Sequence, residues 1–279
     1  MHKDLFEEYN KVTEPEKYFK KYAWKTAIGL QQVDGLETSQ YLLETAQQNI
    51  EGRISFAETK ERIESYYQAK SERIEIRTKE ADVVSARIVE ILSEESFSFS
   101  PEQFLAIHRR LFTGIYKHAG RMRDYNITKD EWVLNGDTVT YGSAYSLKEM
   151  LDYDFKQEKS FSYKGLPNDD IISHLARFTA NLWQIHPFGE GNTRTTAVFL
   201  IKYLSTLGYD MTNDIFAENS WYFRNALVRA NYTNIRKEIY ETTEFLEAFL
   251  RNLLFSENNK LKNRELRIPE RDKTNNLER

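Results

Sequence analysis

The sequence predicts an all-α protein: a helical bundle that carries one β-hairpin and follows a helical N-terminal extension. Three observations lead to this prediction. Apolar residues recur at helical spacing through most of the 279 residues. A helix-start signal stands at Ser100-Pro101. One convincing hairpin signal occurs, at Asn135-Gly136. The hydrophobic fraction of 40% and charged fraction of 29% are ordinary for a globular chain.

The N-terminal part of the chain is predicted to be helical throughout. Residues 41–51 place apolar side chains on one stripe, and Gly52 ends that helix. Strong helix formers then fill residues 55–80. We therefore expect residues 1–80 to form an N-terminal helical region.

Residues 81–255 are predicted to form the main domain. Ser100 suits the N-cap of a helix whose first position is Pro101. Amphipathic stripes cover residues 83–92, 101–116, 169–185, 195–207, 220–232 and 243–255. Residues 256–279 are polar and of mixed charge, so we expect a solvated or frayed tail.

The segment EWVLNGDTVTYG, residues 131–142, departs from the helical pattern. It has β-branched and aromatic residues on both sides of Asn135-Gly136. Asn-Gly favours the positive φ angles of a two-residue turn between paired strands. The sequence therefore predicts a β-hairpin at this point.

Composition excludes several classes of function. The net charge of -4 gives no reason to expect nucleic acid binding. No cysteine is present, which excludes disulfides, thiolate metal sites and a cysteine nucleophile, and suits a cytoplasmic protein. No apolar run is long enough to span a membrane, and the N-terminus lacks the apolar region of a signal peptide.

The stretch HPFGEGNTR, residues 186–194, concentrates the chemistry. Its glycines allow a ligand to approach the amides of a helix N-terminus, where an anion is favoured. Arg194 offers a fork of donors that matches phosphate oxygens. Glu190 would repel phosphate unless a hard cation such as Mg²⁺ lay between them. His186 can accept a proton near neutral pH. Together these groups indicate transfer of part of a nucleotide to a hydroxyl.

These residues resemble the signature of the Fic/Doc family, HPFx(D/E)GN(G/K)R, in eight of nine positions. The segment HRRLFTGIYKHAGRMRDYNI, residues 108–127, is similar to the family's helix leading into its flap, and residues 131–142 lie where the flap hairpin belongs. The resemblance covers about residues 100–255 and implies the Fic fold, a helical bundle with a hairpin flap that clamps a target peptide.

The resemblance also implies a role for each residue of the site. His186 would deprotonate the target hydroxyl, and Glu190 would hold Mg²⁺, with Mn²⁺ as an alternative cation. Phe188 would anchor the loop in the core. The implied nucleotide-binding residues are Gly189, Gly191, Asn192, Thr193 and Arg194, with Tyr222 and Asn231 as candidates for the adenine pocket.

Two positions depart from the family pattern. Thr193 replaces the usual Gly or Lys, and the absence of Lys favours AMP transfer over phosphate transfer. Ala197 stands where many members have a second arginine that contacts the γ-phosphate.

Restrained members of the family carry an inhibitory helix with the motif (S/T)xxxE(G/N), whose Glu pairs with that second arginine. Residues 27–58 resemble the small antitoxin that supplies this helix, including the pattern G-x-I-S-x-x-E at 52–58. In this alignment Leu30 replaces Ser or Thr, Asp34 replaces Glu, and Gly35 matches. Because Ala197 offers no charge, we expect Asp34 to lack a cationic partner and the inhibition to be weak or absent.

The leading functional prediction is a protein adenylyltransferase that moves AMP from Mg-ATP to a Ser, Thr or Tyr hydroxyl of a target protein or of the chain itself. The alternatives are a Fic-type transferase with another donor (UMP, phosphate or phosphocholine transfer), net hydrolysis including removal of AMP, and a non-catalytic nucleotide-binding interaction protein. The expected partners are ATP and a target protein, without nucleic acid or membrane. The resemblance also allows a homodimer.

Overall fold

The structure is a computed structural model that describes residues 15–69, 76–209 and 213–269. The predicted all-α class is confirmed, since the regular elements in these ranges are helices and no strand is present among them. The helices are α1 (Pro15–Gly29), α2 (Gln40–Ile50), α3 (Phe56–Ala69), α4 (Ile76–Ser93), α5 (Pro101–Phe112), α6 (Leu147–Ser160), α7 (Asn168–Ile185), α8 (Asn192–Thr206), α9 (Ile215–Ala230), α10 (Glu244–Phe255) and α11 (Asn263–Leu266). None of the described helices is long and apolar enough to cross a bilayer.

Helix α8 lies at the centre of the bundle and carries the arginine of the predicted site. Every residue from Asn192 to Leu204 is buried. The helix packs against α4, α5 and α7. Since α7 and α8 are joined by residues 186–191, the loop with the predicted chemistry is held between two core helices.

The N-terminal extension packs directly on the rest of the bundle. Helix α1 contacts α4 and α9. A Cβ at Gly29 would lie 2.3 Å from the backbone oxygen of Ala217, so only glycine permits this approach. A 3-10 helix, Leu30–Asp34, continues α1 and contacts α4, α8 and α9. The predicted boundary between residues 80 and 81 falls inside α4, which contacts helices on both sides of it.

The pattern G-x-I-S-x-x-E at residues 52–58 has a local structural explanation. The Ser55 hydroxyl accepts from the Glu58 N–H at 3.2 Å, and the Glu58 carboxylate accepts from the Ser55 N–H at 2.7 Å. These reciprocal bonds form a capping box at the start of α3. Ser100 likewise caps α5, accepting from the Gln103 N–H at 3.2 Å, as predicted.

The predicted hairpin forms its turn but not its strands. Asn135 and Gly136 have φ angles of 54° and 87°, and the Asp137 N–H donates to the Leu134 carbonyl at 3.1 Å. The residues before the turn, Trp132–Leu134, form a 3-10 helix instead of a strand. The strands predicted here are therefore wrong for this structure, although the segment returns on itself through one flanking bond, from the Glu131 N–H to the Asp137 carbonyl.

Part of the segment predicted as a solvated tail is packed. Within residues 256–269, Leu266 and Ile268 are buried, and the Ile268 N–H donates to the Val133 carbonyl at 2.8 Å. The Arg267 guanidinium donates to the Asn135 side chain at 2.7 Å. The two apolar residues, hidden in a polar stretch, account for the difference. The rest of that predicted tail, like the first residues of the N-terminal region, lies outside the described residues.

Candidate active site

His186 stands at the C-terminal end of α7, where Pro187 prevents the helix from continuing. Its φ of 48° is in the left-handed region, which non-glycine residues seldom adopt. Its Nδ1 lies 3.2 Å from the Trp183 carbonyl oxygen. Because a carbonyl can only accept, Nδ1 carries the proton and Nε2 is the free acceptor.

The surroundings of His186 keep the imidazole neutral. Burial lowers the pKa of His186 well below its ordinary value, and the positive charge of Lys129 lowers that pKa further. The hydrogen bond to Trp183 opposes this shift without cancelling it. The side chain is therefore a proton acceptor at neutral pH, which is the state that a general base requires.

The loop after His186 is closed by the side chain of Asn192. Its Oδ1 accepts from the Phe188 N–H at 3.0 Å, and its Nδ2 donates to the Phe188 carbonyl at 2.8 Å. Gly191 has a φ of 78°, and a Cβ there would lie 2.4 Å from the Phe112 ring. The Asn192 side chain thus fastens the loop. Because both of its polar atoms are used in this way, the backbone N–H of Asn192 is the group available to a ligand.

The N-terminus of α8 faces this loop. The first intrahelical bond runs from the Thr195 N–H to the Gly191 carbonyl at 3.0 Å. The three preceding N–H groups, of Asn192, Thr193 and Arg194, have no intrahelical acceptor in this geometry. These N–H groups carry the partial positive charge that would favour an anion.

His108 supports the loop from α5, a role that the sequence did not indicate. Its Nδ1 accepts from the Gly120 N–H at 2.8 Å, so Nε2 carries the proton and donates to the Glu190 carbonyl at 3.0 Å. The ring stacks on Phe188 with centroids 3.6 Å apart. Burial lowers the pKa of His108 to about 3, so this imidazole is neutral and structural.

Arg123 is a second support that the sequence did not identify. Its buried guanidinium donates from Nε to the His186 carbonyl at 2.8 Å and also donates to the Gly142 carbonyl. Its backbone N–H donates to the Pro187 carbonyl at 2.8 Å. Arg123 therefore joins the loop after α7 to residues 131–142. These residues are too far apart in the sequence for a local pattern to predict the contact.

Glu190, the predicted metal ligand, is half exposed and forms an ion pair with Lys129 at 3.0 Å between Oε2 and Nζ. Among the described residues no group of three or more His, Cys, Asp or Glu side chains could hold a metal ion. A single carboxylate suits Mg²⁺, which usually takes one or two protein carboxylates and completes its shell with phosphates and water. Glu190 fits such a cation, provided that its carboxylate leaves Lys129.

Arg194 is fully buried, and Asp34 is one of its partners. The Asp34 Oδ2 lies 2.8 Å from the arginine Nε. The prediction that Asp34 would lack a cationic partner is therefore wrong. It followed from the alanine at 197, but the 3-10 helix after α1 instead delivers the carboxylate to the arginine of the loop motif.

Three further residues complete the enclosure of Arg194. Its Nη1 donates to Gln31 Oε1 at 3.0 Å, and its Nη2 donates to Glu80 Oε1 at 2.6 Å and to the Tyr116 hydroxyl at 3.1 Å. Burial alone would lower the pKa of Arg194, but Asp34 foremost, with Tyr116 and Glu80, raises it above its ordinary value. Both Nη nitrogens thus donate hydrogen bonds to protein groups, whereas Nε contacts Asp34 as an ion pair without a hydrogen bond. The guanidinium is therefore engaged by the protein in this arrangement.

Thr193, the departure from the family pattern, directs its hydroxyl away from the loop. The hydroxyl accepts from the buried Trp183 indole N–H at 3.0 Å. Trp183 also supplies the carbonyl that orients His186. A side chain with an oxygen acceptor at position 193 therefore stabilises the end of α7.

Replacing Thr193 with valine is expected to destabilise the protein by about 1–3 kcal/mol. Valine has nearly the same shape but leaves the Trp183 N–H buried without an acceptor. The measurement is urea unfolding of the two chains. Thr193→Ser keeps the oxygen and should lose less stability than Thr193→Val, whereas equal losses would show that the methyl group matters and the hydrogen bond does not.

The two candidates for the adenine pocket lie in different surroundings. Asn231 lines a pocket of about 680 Å³ together with Thr140 and Gln184, two residues before His186. Its Nδ2 donates to the Ala180 carbonyl at 3.0 Å. Tyr222 is buried and does not line this pocket; burial, with the charge of Glu265, raises its pKa. Asn231 therefore lies beside the last turn of α7, which leads into the loop, whereas Tyr222 lies outside this pocket.

A helical bundle with a histidine, a carboxylate and an anion-favouring helix start in one loop is the arrangement expected of the family named above. Residues 98–204 match the model of the Fic/DOC family. The chain carries a Fic domain. The family match begins at residue 98, after both Asp34 and Glu80. The carboxylates that enclose Arg194 therefore come from outside the matched range.

Three curated proteins are similar to this chain. Protein adenylyltransferase VbhT of Bartonella schoenbuchensis is 27% identical over 119 residues, which are 43% of this chain and 24% of that protein. Probable protein adenylyltransferase Fic of Salmonella typhimurium is 28% identical over 118 residues, 42% and 55% of the two chains. Probable protein adenylyltransferase y4lH of Sinorhizobium fredii is 28% identical over 130 residues, 45% and 62%. The chain thus spans less than two thirds of each relative.

Two solved structures are also similar. The N-terminal FIC domain of Bep8 from Bartonella sp. 1-1C is 18% identical with a TM-score of 0.49, over 65% of this chain and 88% of that one. The N-terminal Fic domain of a Bep effector from Bartonella sp. AR 15-3 is 19% identical with a TM-score of 0.44, over 56% and 71%.

Proposed function

We propose that this protein is a Fic-type transferase that moves AMP from Mg-ATP to a hydroxyl of a protein, with its own exposed tyrosines among the acceptors. The observation that carries the proposal is the pairing of a neutral His186, whose Nε2 is free to accept a proton, with the open N–H groups at the start of α8. The names of the similar curated proteins support the same reaction.

The chain's residues suggest how the step would run. The acceptor oxygen attacks the α-phosphorus, the bond from that phosphorus to the bridging oxygen of pyrophosphate breaks, and His186 Nε2 takes the hydroxyl proton. The first N–H groups of α8 would stabilise the phosphate charge. Glu190 would hold the divalent cation, whose charge offsets that of the phosphates.

Arg194 would contact the phosphates only after it leaves its present partners. Asp34, Gln31 and Glu80 hold it in the described arrangement. The proposed function therefore includes restraint by the N-terminal segment, which we infer to be stronger than the weak inhibition that the sequence suggested.

A transferase with a different donor is the second candidate, and Ala197 is the observation that favours it. The missing arginine removes one contact to a γ-phosphate, so a diphosphate-linked donor, as in phosphocholine transfer, would lose less binding than a triphosphate. UMP, phosphate and phosphocholine transfer each leave a mass increment distinct from that of AMP.

Intact mass spectrometry tests the proposal. The wild type, Asp34→Asn and Asp34→Asn with His186→Ala are incubated with Mg²⁺ and each nucleotide in turn. An AMP-sized increment is expected on Asp34→Asn and not on the double variant. Tyr145, which is 92% exposed, is a readily accessible acceptor. An increment of another size would reassign the donor, and an increment that survives His186→Ala would overturn the assigned base.

A further inference from the structure

Two polar side chains outside the loop motif lie against Gly189. A Cβ built at Gly189 would be 2.7 Å from the Tyr125 hydroxyl and 3.4 Å from His118 Nε2. The first distance is too short for any side chain at position 189 unless Tyr125 moved. The lack of a side chain at Gly189 therefore leaves space for the Tyr125 phenol and the His118 imidazole beside the loop that precedes α8.

One of these polar atoms has no partner within the described part of the chain. His118 Nε2 is buried and makes no hydrogen bond. Leaving such an atom unpaired is unfavourable. The Tyr125 side chain is 55% exposed, so its hydroxyl remains accessible to a ligand. An unpaired buried nitrogen beside an accessible hydroxyl is what a site for a hydrogen-bonding ligand would show.

The position of His118 is fixed relative to Arg194. Its ring lies parallel to that of Tyr116, with centroids 5.4 Å apart and an interplanar angle of 7°. Tyr116 in turn contacts Arg194 through its hydroxyl, at 3.1 Å from Nη2. His118 and Arg194 therefore flank the same tyrosine, and the imidazole belongs to the surroundings of the arginine that phosphate would meet.

A nucleotide bound at this site would need additional hydrogen-bond donors for its phosphate oxygens. Position 197 is an alanine, so α8 supplies no second cation one turn after Arg194. A triphosphate nevertheless carries oxygens beyond those that one arginine and a helix start can satisfy. An imidazole N–H and a phenol O–H both donate to phosphate oxygens without adding a permanent charge.

We propose that His118 and Tyr125 bind the pyrophosphate portion of the nucleotide, in place of the arginine that Ala197 lacks. This inference rests on the proposed function for the identity of the nucleotide. It concerns the part of the nucleotide that leaves, so it can be tested by binding alone, without any transfer reaction.

The test measures the affinities of inorganic pyrophosphate, ATP and AMP by calorimetry, in the Asp34→Asn background. Tyr125→Phe removes only the hydroxyl, and His118→Phe removes the nitrogen while keeping a ring beside Tyr116. Each variant is expected to weaken pyrophosphate and ATP binding by about 3- to 10-fold, the value of one hydrogen bond. AMP affinity should not change. Tyr153→Phe, at a position on α6 that is 63% exposed, is the matched control and should alter none of the three.

Two outcomes would overturn the inference. One is unchanged pyrophosphate and ATP affinity in both variants, and the other is a loss that is equally large for AMP. The proposed function fails separately: if the variants lose pyrophosphate binding but the Asp34→Asn protein forms no nucleotide adduct, the binding site stands and the transferase assignment does not.

Discussion

His186→Ala is expected to lower the rate of transfer by about 10²–10⁴-fold, the usual contribution of a general base. Nε2 is the one ring nitrogen free to take the acceptor proton, because Nδ1 is committed to the Trp183 carbonyl. Nucleotide affinity should be unchanged, since the phosphates would meet the start of α8 and not this imidazole. The rates are measured as adduct formed per unit time by mass spectrometry, in the Asp34→Asn background. Equal loss of affinity and rate would contradict the assigned role.

The pH profile of the same reaction provides a control that a merely structural histidine would not reproduce. An ordinary histidine is half protonated near pH ~6.5 and would lose base activity below it. Burial lowers the pKa of His186, so its neutral form persists to lower pH. The rate should therefore stay level through the range near pH ~6.5 in which an ordinary histidine loses base activity. A decline centred on the ordinary histidine value would show that the imidazole is solvated during the reaction.

The parts of the fold that could be predicted are those set by local sequence. Ser100 and Pro101 specify the start of α5. The Ser100 hydroxyl accepts from the backbone N–H three residues later, and the structure has that hydrogen bond. Asn135-Gly136 likewise specifies a turn. The strands beside the turn were mispredicted because residues of this segment interact with partners that are distant in the sequence. Glu131, for example, is buried in an ion pair with Arg224, at 2.6 Å.

The candidate site divides in the same way. The motif at residues 186–194 concentrates His186, Glu190 and Arg194 in one stretch, so their association could be predicted. The residues that support or enclose them come from far along the chain. His108 reaches the Glu190 carbonyl across a sequence separation of 82, and Glu80 reaches Arg194 across 114. No spacing in the sequence encodes such contacts, which depend on how the helices pack.

The prediction for Asp34 shows why an alignment alone can mislead. In the family pattern the inhibitory carboxylate pairs with an arginine at position 197, which is alanine in this chain. In the structure the 3-10 helix Leu30–Asp34 contacts α8. Its carboxylate reaches the first arginine of the motif, Arg194, which the resemblance assigns to phosphate binding. Ion pairing depends on distance and charge, so the shorter side chain of Asp34 can pair with the cation that lies nearer, Arg194.

Asp34→Asn is expected to raise the affinity for ATP by about 10-fold, within the usual range for coupling between two sites. The change removes the charge that competes with phosphate for Arg194 and keeps the volume of the side chain. The guanidinium remains paired with Glu80, so the variant should fold. Truncating the segment is a poorer test, because Trp24 and Leu30 are fully buried and their loss would open the core. Affinity is measured by calorimetry with Mg-ATP, and the transfer rate should rise with it.

Glu37→Gln is the matched control for this variant. Glu37 is exposed in the same segment, three residues beyond Asp34, so the substitution makes the same change in charge without touching Arg194. It should leave the ATP affinity unchanged at moderate salt, where long-range effects of exposed charges are screened. If Glu37→Gln raised the affinity as much as Asp34→Asn, net charge would be responsible. If Asp34→Asn lowered the affinity, Asp34 would be part of the nucleotide site and not its competitor. Adding Glu80→Gln to Asp34→Asn should raise the affinity further only if both carboxylates compete with phosphate, because each then holds the same guanidinium.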